Sequence, residues 1–397
     1  MNQGTLLAIY EKLEGLIGKL PGPLQNAILE ELRPIKQIFL SQRPARILLL
    51  GDDRADASAL FSALTGAELE LIQPEQEFGW VNYEQRMRGS FRVLDARRLG
   101  ADAAGFQRVR EAVREAIPDA IVFLAPGDGT TETIVQTADR IVADVHQQTN
   151  ARTPVIGVSA LGGDIDPSDL AASGDSLASL LKAQPALAAN LVKVVPVSAA
   201  MRFRHDGSID LESDRRVNIR ELADLIAQEL PDEAQVELAR LFGAKDVQRN
   251  LTNKLIRAMT AVCAAVGTQP IPLADFPVLT TLQLTMVAGI MHISGRELSV
   301  RAAAEFLGAL GANIGVGMAF REGARAAVKL CPGWGNAISG GIAAAGTYGI
   351  GRAASAYFVE GLALGDVKKM VRRKPGPGRR WLSFRRKKET GNTDEPL

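Results

Sequence analysis

The chain has 397 residues, 46% of them apolar and 23% charged, with 38 Gly and 19 Pro. That length predicts two folded units plus tails, and the composition excludes a disordered or collagen-like chain. The net charge of +1 hides an asymmetry: from Lys368 onward 11 Lys/Arg face Glu389, Asp394 and Glu395, a local +8 that leaves −7 elsewhere and disfavours a uniformly basic nucleic-acid binder.

Residues 1–43 read as a helical hairpin. Leu6, Ile9, Tyr10, Leu13, Ile17 and Leu20 recur at helical spacing, and after Pro21-Gly22-Pro23 so do Leu24, Ile28, Leu32, Ile35 and Phe39. Lys12, Glu11 and Glu14 interrupt what would be the apolar core of a secretory signal. Two cysteines, Cys263 and Cys331, make no disulfide framework, and His146, His205 and His292 have no zinc spacing. A reducing, cytoplasmic setting is expected, with no metal site.

Residues 44–232 alternate short β-rich runs with amphipathic stretches. The strands expected are Arg46 to Leu50, Phe91 to Leu94, Ala120 to Leu124, Val155 to Ser159 and Leu191 to Val197, and Asn218 to Leu230 reads as the closing helix. Such alternation predicts an α/β unit with a mostly parallel sheet and helices on both faces.

The run from Arg46 to Gly66 has the strand, loop and helix order of a phosphate-binding loop, with Gly51 and Ser58 at the first and last positions of G-x-x-x-x-G-K-[ST]. It resembles the Era/TrmE-like GTPase family, and the resemblance implies a P-loop GTPase-like fold. The motif's second glycine is Asp56 here and its lysine is Ala57. No threonine between Thr65 and Thr130 can serve the first switch. The D-x-x-G station reads Asp95-Ala96-Arg97-Arg98, and the guanine-reading N-K-x-D reads Ser159-Ala160-Leu161-Gly162-Gly163-Asp164. Only the final pair, Ser198-Ala199, is intact.

A lysine in that loop neutralises the β/γ-phosphates, and Asp56 does the reverse. One unit charge at ~5 Å in an effective dielectric of ~20 is worth about 3 kcal/mol. Losing a cation and gaining an anion therefore weakens binding at least ~100-fold. The expectation is a pseudo-GTPase with no catalytic residue and no cofactor. The alternative is a working GTPase that binds GTP and magnesium through Gly51, Ser58, Asp95, Ser198 and Ala199, with Arg54 standing in for the lysine. No nucleophile elbow or His/Cys pair offers other chemistry.

Residues 233–367 lose the strand signal. Lys254 to Val266, Val278 to Ile293, Ser299 to Leu330 and Asn336 to Val371 read as helices. The loop carrying Pro270, Pro272, Asp275 and Pro277, followed by Gln283 and later Pro332-Gly333-Trp334-Gly335, resembles the helical domain of unknown function in YcjF-type membrane proteins. That resemblance implies membrane association. Asp275 is the one acid there, and helix capping is its ordinary role. Phe276 to Gly295 and Leu330 to Gly351 run 20 and 22 residues without Asp, Glu, Lys or Arg, long enough to cross ~30 Å of hydrocarbon. Polar residues in the first and seven glycines in the second favour a compact bundle or shallow hairpin.

The tail, 368–397, interleaves Lys368, Lys369, Arg372, Arg373, Lys374, Arg379, Arg380, Arg385, Arg386, Lys387 and Lys388 with Trp381 and Phe384. This pattern suits an anionic membrane surface, at ~1 kcal/mol per cation. The whole reads as a membrane-associated adaptor or scaffold with a protein partner still to be identified. A homo-oligomer stays open, no nucleic acid is expected, and a purely structural helical assembly at the membrane is the remaining alternative.

Overall fold

A computed structural model describes residues 42–72, 78–85, 88–99, 103–150, 152–163, 165–267, 275–297, 299–311 and 335–372, with positions 18, 22, 25, 26, 29 and 30. In chain order the α/β unit runs β1 (Ala45–Gly51), α1 (Ala57–Thr65), β2 (Val81–Gln85), β3 (Gly89–Asp95), α2 (Ala103–Glu115), β4 (Ala120–Pro126), α3 (Glu132–Thr149), β5 (Val155–Leu161), α4 (Pro167–Lys182), α5 (Pro185–Asn190), β6 (Leu191–Ser198) and α6 (Ile219–Glu229). The strand order is β2-β3-β1-β4-β5-β6, and only β2 is antiparallel to its neighbour. This is the mostly parallel sheet, with helices on both faces, that the alternation of strands and helices predicts. All five expected strands lie within observed ones, and β2 is an addition.

Alternation along each strand builds two cores. Ile47, Leu49, Phe91, Val122 and Val158 face α1 and α6. Leu48, Leu50, Leu94, Phe123 and Val155 face α2, α3 and α4. Because the strands run parallel, their C-terminal ends share one rim, and Gly51, Asp95 and Ser198 come to it.

The helical unit follows: α7 (Asp232–Leu241), α8 (Lys245–Gly267), α9 (Asp275–Ile293), α10 (Val300–Gly311), α11 (Gly335–Ala354), a π-helical turn (Ser355–Val359) and α12 (Leu364–Arg372). Helix α7 has two apolar faces. Ala234, Leu238 and Leu241, at i, i+4 and i+7, pack into the sheet core, while Val236 and Ala239 on the other side join the helical core. It also grips the β2–β3 turn, for Glu237 accepts from the Ser90 backbone N–H at 3.1 Å and its hydroxyl at 3.3 Å. At the N-terminal edge of the sheet, Arg43 makes a bidentate pair with Asp119 at 2.6 and 2.7 Å, and its N–H donates to the Glu233 carbonyl. The helical unit is therefore anchored away from the rim that carries Gly51.

Helices α8 and α11 form the closest seam. A Cβ on Gly351 would stand 2.7 Å from Ile256 Cγ1, so glycine there lets the two backbones approach. Gln283 donates to Thr347 at 3.2 Å inside the bundle. His292 is 5% exposed, and burial, aided by the Arg240 charge, pushes its imidazole down to about 3, so it sits in the core as a neutral side chain.

Two of the long helices expected here differ in the structure. Helix α8 starts at Lys245 rather than Lys254, because its first turns expose polar residues on an amphipathic surface. The stretch Asn336 to Val371 is broken: Glu360 N–H reaches back to Ser355 O, and Gly361 takes φ +74° before α12 begins. Of Ser299 to Leu330, only Val300–Gly311 is described, as helix. The hairpin at 1–43 falls largely outside the described residues; positions 22, 25, 26, 29 and 30 are helical, and Leu29 packs on the helical core. Among the described residues no helix is long and apolar enough to cross a membrane.

Phe91 is fully buried and stacks on Phe61 at 5.4 Å and Tyr83 at 5.4 Å, with Phe242 edge-on at 5.8 Å. Phe91→Ala is expected to lower unfolding free energy by about 3–5 kcal/mol, read from the urea midpoint.

Candidate functional site

At the rim, β1 ends on Gly51 with φ +115°, where a Cβ would fall 2.0 Å from the Leu124 carbonyl oxygen, so only glycine lets the loop turn against β4. The loop 52–56 then leads into α1. Asp56 is the N-cap: its carboxylate accepts from Ala59 N–H at 2.9 Å. A negative charge of the chain's own thus rests on the positive end of the helix, where a phosphate would otherwise bind.

Asp52 is 1% exposed. Arg54 folds back on it, its backbone N–H and Nε donating to Oδ1 at 3.0 and 3.1 Å and Nη2 to Oδ2 at 2.8 Å. The same guanidinium crosses to the loop after β4, donating to the Gly129 carbonyl at 2.7 Å, and Thr130 donates its hydroxyl to Asp52 at 3.1 Å. Burial pushes the Asp52 carboxyl up, but the donors from Arg54 and Thr130 outweigh it and hold the group below the ordinary carboxylate range.

The arrangement recurs. Arg97 donates to Asp95 through its backbone N–H, Nε and Nη2 at 3.1, 3.0 and 2.8 Å, and its Nη1 reaches the Ala55 carbonyl at 2.6 Å. Arg216 holds Asp214 in the same way at 3.2, 2.9 and 2.8 Å and reaches the Ala63 carbonyl at 3.2 Å. Three Asp-x-Arg clamps therefore tie α1 and its loop to β3, to the β4–α3 loop and to the segment after β6. The reading of the sequence missed them, although the spacing recurs at 52–54, 95–97 and 214–216.

The remaining expected residues are also engaged. Ser58 accepts the Leu71 N–H at 3.0 Å, and Ser62 both accepts from and donates to Leu69 at 2.9 and 3.0 Å, so the chain after α1 is laid along the helix. Ser198 is fully buried, accepts weakly from Ala200 N–H at 3.3 Å and bridges to Val217; Ala199 packs at the edge of the sheet core. Asp164, Pro270 and Pro272 lie outside the described residues. Asp275 and Pro277 fall in the first turn of α9, their side chains undescribed. Lys368 and Lys369 are on α12, which ends at Arg372; Arg373, Lys374, Arg379, Arg380, Trp381, Phe384, Arg385, Arg386, Lys387 and Lys388 lie outside the described residues.

A triphosphate with magnesium does not fit these groups as arranged. The nearest cations, Arg54 and Arg97, are each committed to a carboxylate, and the serine of the loop holds a backbone N–H. Among the described residues no cluster of three His, Cys, Asp or Glu side chains is placed to hold a metal. A cavity of about 70 Å³ lies beyond the 126–130 loop, between Ser159 and the α4 residues Ser173, Ser176 and Leu177, room for a few waters rather than a nucleotide.

No family model and no curated protein sequence matches the chain. Solved structures that resemble it include Era in complex with MgGDPNP and a 16S ribosomal RNA segment (16% identity, 56% of this chain and 68% of that one, TM-score 0.30). Others are Toc33 from Arabidopsis thaliana with Mg2+ and GMPPNP (12%, 60% and 95%, 0.33) and the LeoA bacterial dynamin GTPase from ETEC (11%, 94% and 79%, 0.37).

Asp52→Asn keeps the shape of the first clamp and removes its charge. The folded carboxyl lies below its unfolded value, so its contribution is present above about pH 4 and is lost as pH falls through the depressed folded value. The variant is expected to be about 1–2 kcal/mol less stable than wild type at pH 7, with the gap closing below pH ~4 in urea titrations.

Proposed function

We propose that this chain is a GTPase-fold protein whose nucleotide station is closed by its own side chains, and that it works as an adaptor or scaffold at an anionic membrane surface. The observation that carries the first half is the Asp56 carboxylate on the N-terminus of α1. In a working loop that position is a glycine followed by lysine, and backbone N–H groups close on phosphate. Here an anion of the chain occupies the helix end, so a phosphate group would meet repulsion and would have to displace an N-cap.

The clamps support the same reading. Arg54, the residue best placed to replace the missing lysine, already lies over the Asp52 carboxylate, and withdrawing it would give up its charge-assisted hydrogen bonds to both oxygens. Ser58 would have to release Leu71 to reach a magnesium ion. A rim held shut in this way presents a fixed surface, which suits protein recognition better than a nucleotide-driven switch.

The membrane half rests on the tail. Cations interleaved with Trp381 and Phe384 follow directly on α12, an amphipathic helix whose Val367 is buried and whose Lys369 faces water. Attachment from a surface helix and tail needs no spanning segment.

Calorimetric titration with GTP and magnesium is expected to give no saturable heat up to ~1 mM for the wild type. Asp56→Gly with Ala57→Lys completes G-x-x-x-x-G-K-S at 51–58 and is expected to gain at least ~10-fold in affinity. Micromolar binding by the wild type, abolished by Ser58→Ala, would instead establish the atypical working GTPase.

A further inference from the structure

We propose that one end of the helical unit, centred on Arg220, Lys245 and Arg296, is a docking face for the headgroups of an anionic lipid bilayer. This deepens the membrane reading above and depends on it. The three cations come from separate elements: Arg220 from the first turn of α6, Lys245 from the start of α8, and Arg296 from the segment after α9. The packing brings α8, α9 and α11 together at this end. Helices α8 and α11 run antiparallel, with Arg352 donating to Asn253 at 3.2 Å and Gly351 against Ile256, so the start of α8 lies beside the end of α11. There the π turn begins, and Arg296 lies over its Tyr357 and Phe358 rings at 5.5 and 5.2 Å.

Two carboxylates at this end are engaged, while Glu297 and Glu360 stay exposed near Arg296. Asp224 accepts from the backbone N–H groups of Asp246 and Val247 at 2.8 and 3.4 Å, capping α8, and Asp246 holds Arg249 at 2.6 Å. Lys245 donates only to the neutral amide of Gln248, at 3.3 Å. Among the described residues Arg220, Lys245 and Arg296 have no carboxylate within 4.0 Å. Lys245 is exposed, yet partial desolvation by the surrounding helices, with the charges of Arg220, Arg296 and Arg249, holds its ammonium below the ordinary range against the pull of Asp224. A cluster of mutually repelling, unneutralised cations is relieved by an external anion.

The spread of the charges selects the kind of anion. They span a face built from several helices, with Asp224 and Asp246 among them, rather than converging on a cavity that would enclose one small ion. The face continues into α12, which packs on α11 and the π turn and carries Lys368 and Lys369, the latter paired with Asp366 at 3.1 Å. In the link before α12, Leu362 is 40% exposed, an apolar side chain at the same end of the bundle. Cations around an exposed leucine, leading into a basic and aromatic tail, match a bilayer's phosphate layer and the apolar level beneath it.

Co-sedimentation of the full chain with phosphatidylcholine vesicles, with and without phosphatidylserine, tests the face. The variant Arg220→Gln/Lys245→Gln/Arg296→Gln, tail intact, is expected to lose at least ~10-fold in partitioning onto phosphatidylserine vesicles, with no change on neutral ones. Lys245→Gln alone, at an exposed position, is expected to lose ~5-fold and decides the matter if the triple variant unfolds. A third variant neutralises Arg379, Arg380, Arg385, Arg386, Lys387 and Lys388. Losses in this tail variant with wild-type binding in the other two would overturn the docking face and leave tail attachment standing. A wild type that binds both vesicle types equally would overturn the electrostatic membrane reading and the face together.

Discussion

The arrangement of the rim depends on one constraint: a carboxylate covered by its own loop must keep its hydrogen-bond donors beside it. Asp52 sits where β1 passes into α1, against β4, and its side chain is 2% exposed. Left alone it would carry a large desolvation penalty. Arg54 removes that penalty only by lying flat against the loop, which brings its other N–H groups to Gly129 and so ties the loop to the segment after β4. The same logic fixes Asp95 with Arg97 and Asp214 with Arg216. Each arginine satisfies its aspartate first and spends a remaining donor on a backbone carbonyl at the next element. Helix α1 is thus held at its N-terminal approach by Arg97 and near its C-terminus by Arg216. The clamps position the rim, and they also consume the cations that a phosphate would need.

Much of the architecture was legible because strands buried on both faces must be nearly continuous apolar runs. Ile47 to Leu50, Ala120 to Leu124 and Val155 to Val158 are of that kind, and all lie in the centre of the sheet. Strand β2 was not legible: Val81-Asn82-Tyr83-Glu84-Gln85 is an edge strand that buries only Tyr83, so its pattern is too polar to stand out. Helix α7 was hidden for a different reason. Two apolar faces on ten residues blur the amphipathic stripe, and a boundary drawn at Pro231 says nothing of a helix that serves two cores at once. The π turn at 355–359 was invisible because periodicity distinguishes poorly between α-helical and π-helical winding over one turn.

The site was legible as a loss and illegible as a gain. Asp56 and Ala57 announced the missing glycine and lysine by position, since the motif's spacing is fixed by the loop's backbone. What replaced the phosphate contacts depended on side-chain direction, which spacing in the sequence does not carry. Arg54 has the charge of a rescuing cation, yet its backbone N–H and guanidinium close on the residue two positions earlier, a local geometry that wins because no long-range ordering is needed to form it. Ser58 likewise has the chemistry of a magnesium ligand and is recruited by the backbone of Leu71 instead.

Two regions of the surface follow opposite electrostatic rules. At the rim Arg54, Arg97 and Arg216 are each matched to a carboxylate, and a donor left over on each goes to a carbonyl oxygen of the chain. At the start of α8 the carboxylates go to a helix cap and to Arg249, and Arg220, Lys245 and Arg296 are left over. Helix α7 and the Arg43–Asp119 pair fasten the helical unit at the N-terminal edge of the sheet, away from Gly51, while Arg220, three residues after the Val217 that bridges to Ser198, lies toward the β6 side of the rim. On the function proposed above, a membrane would hold the body through the second set of cations while the first, self-satisfied region stays open to a protein.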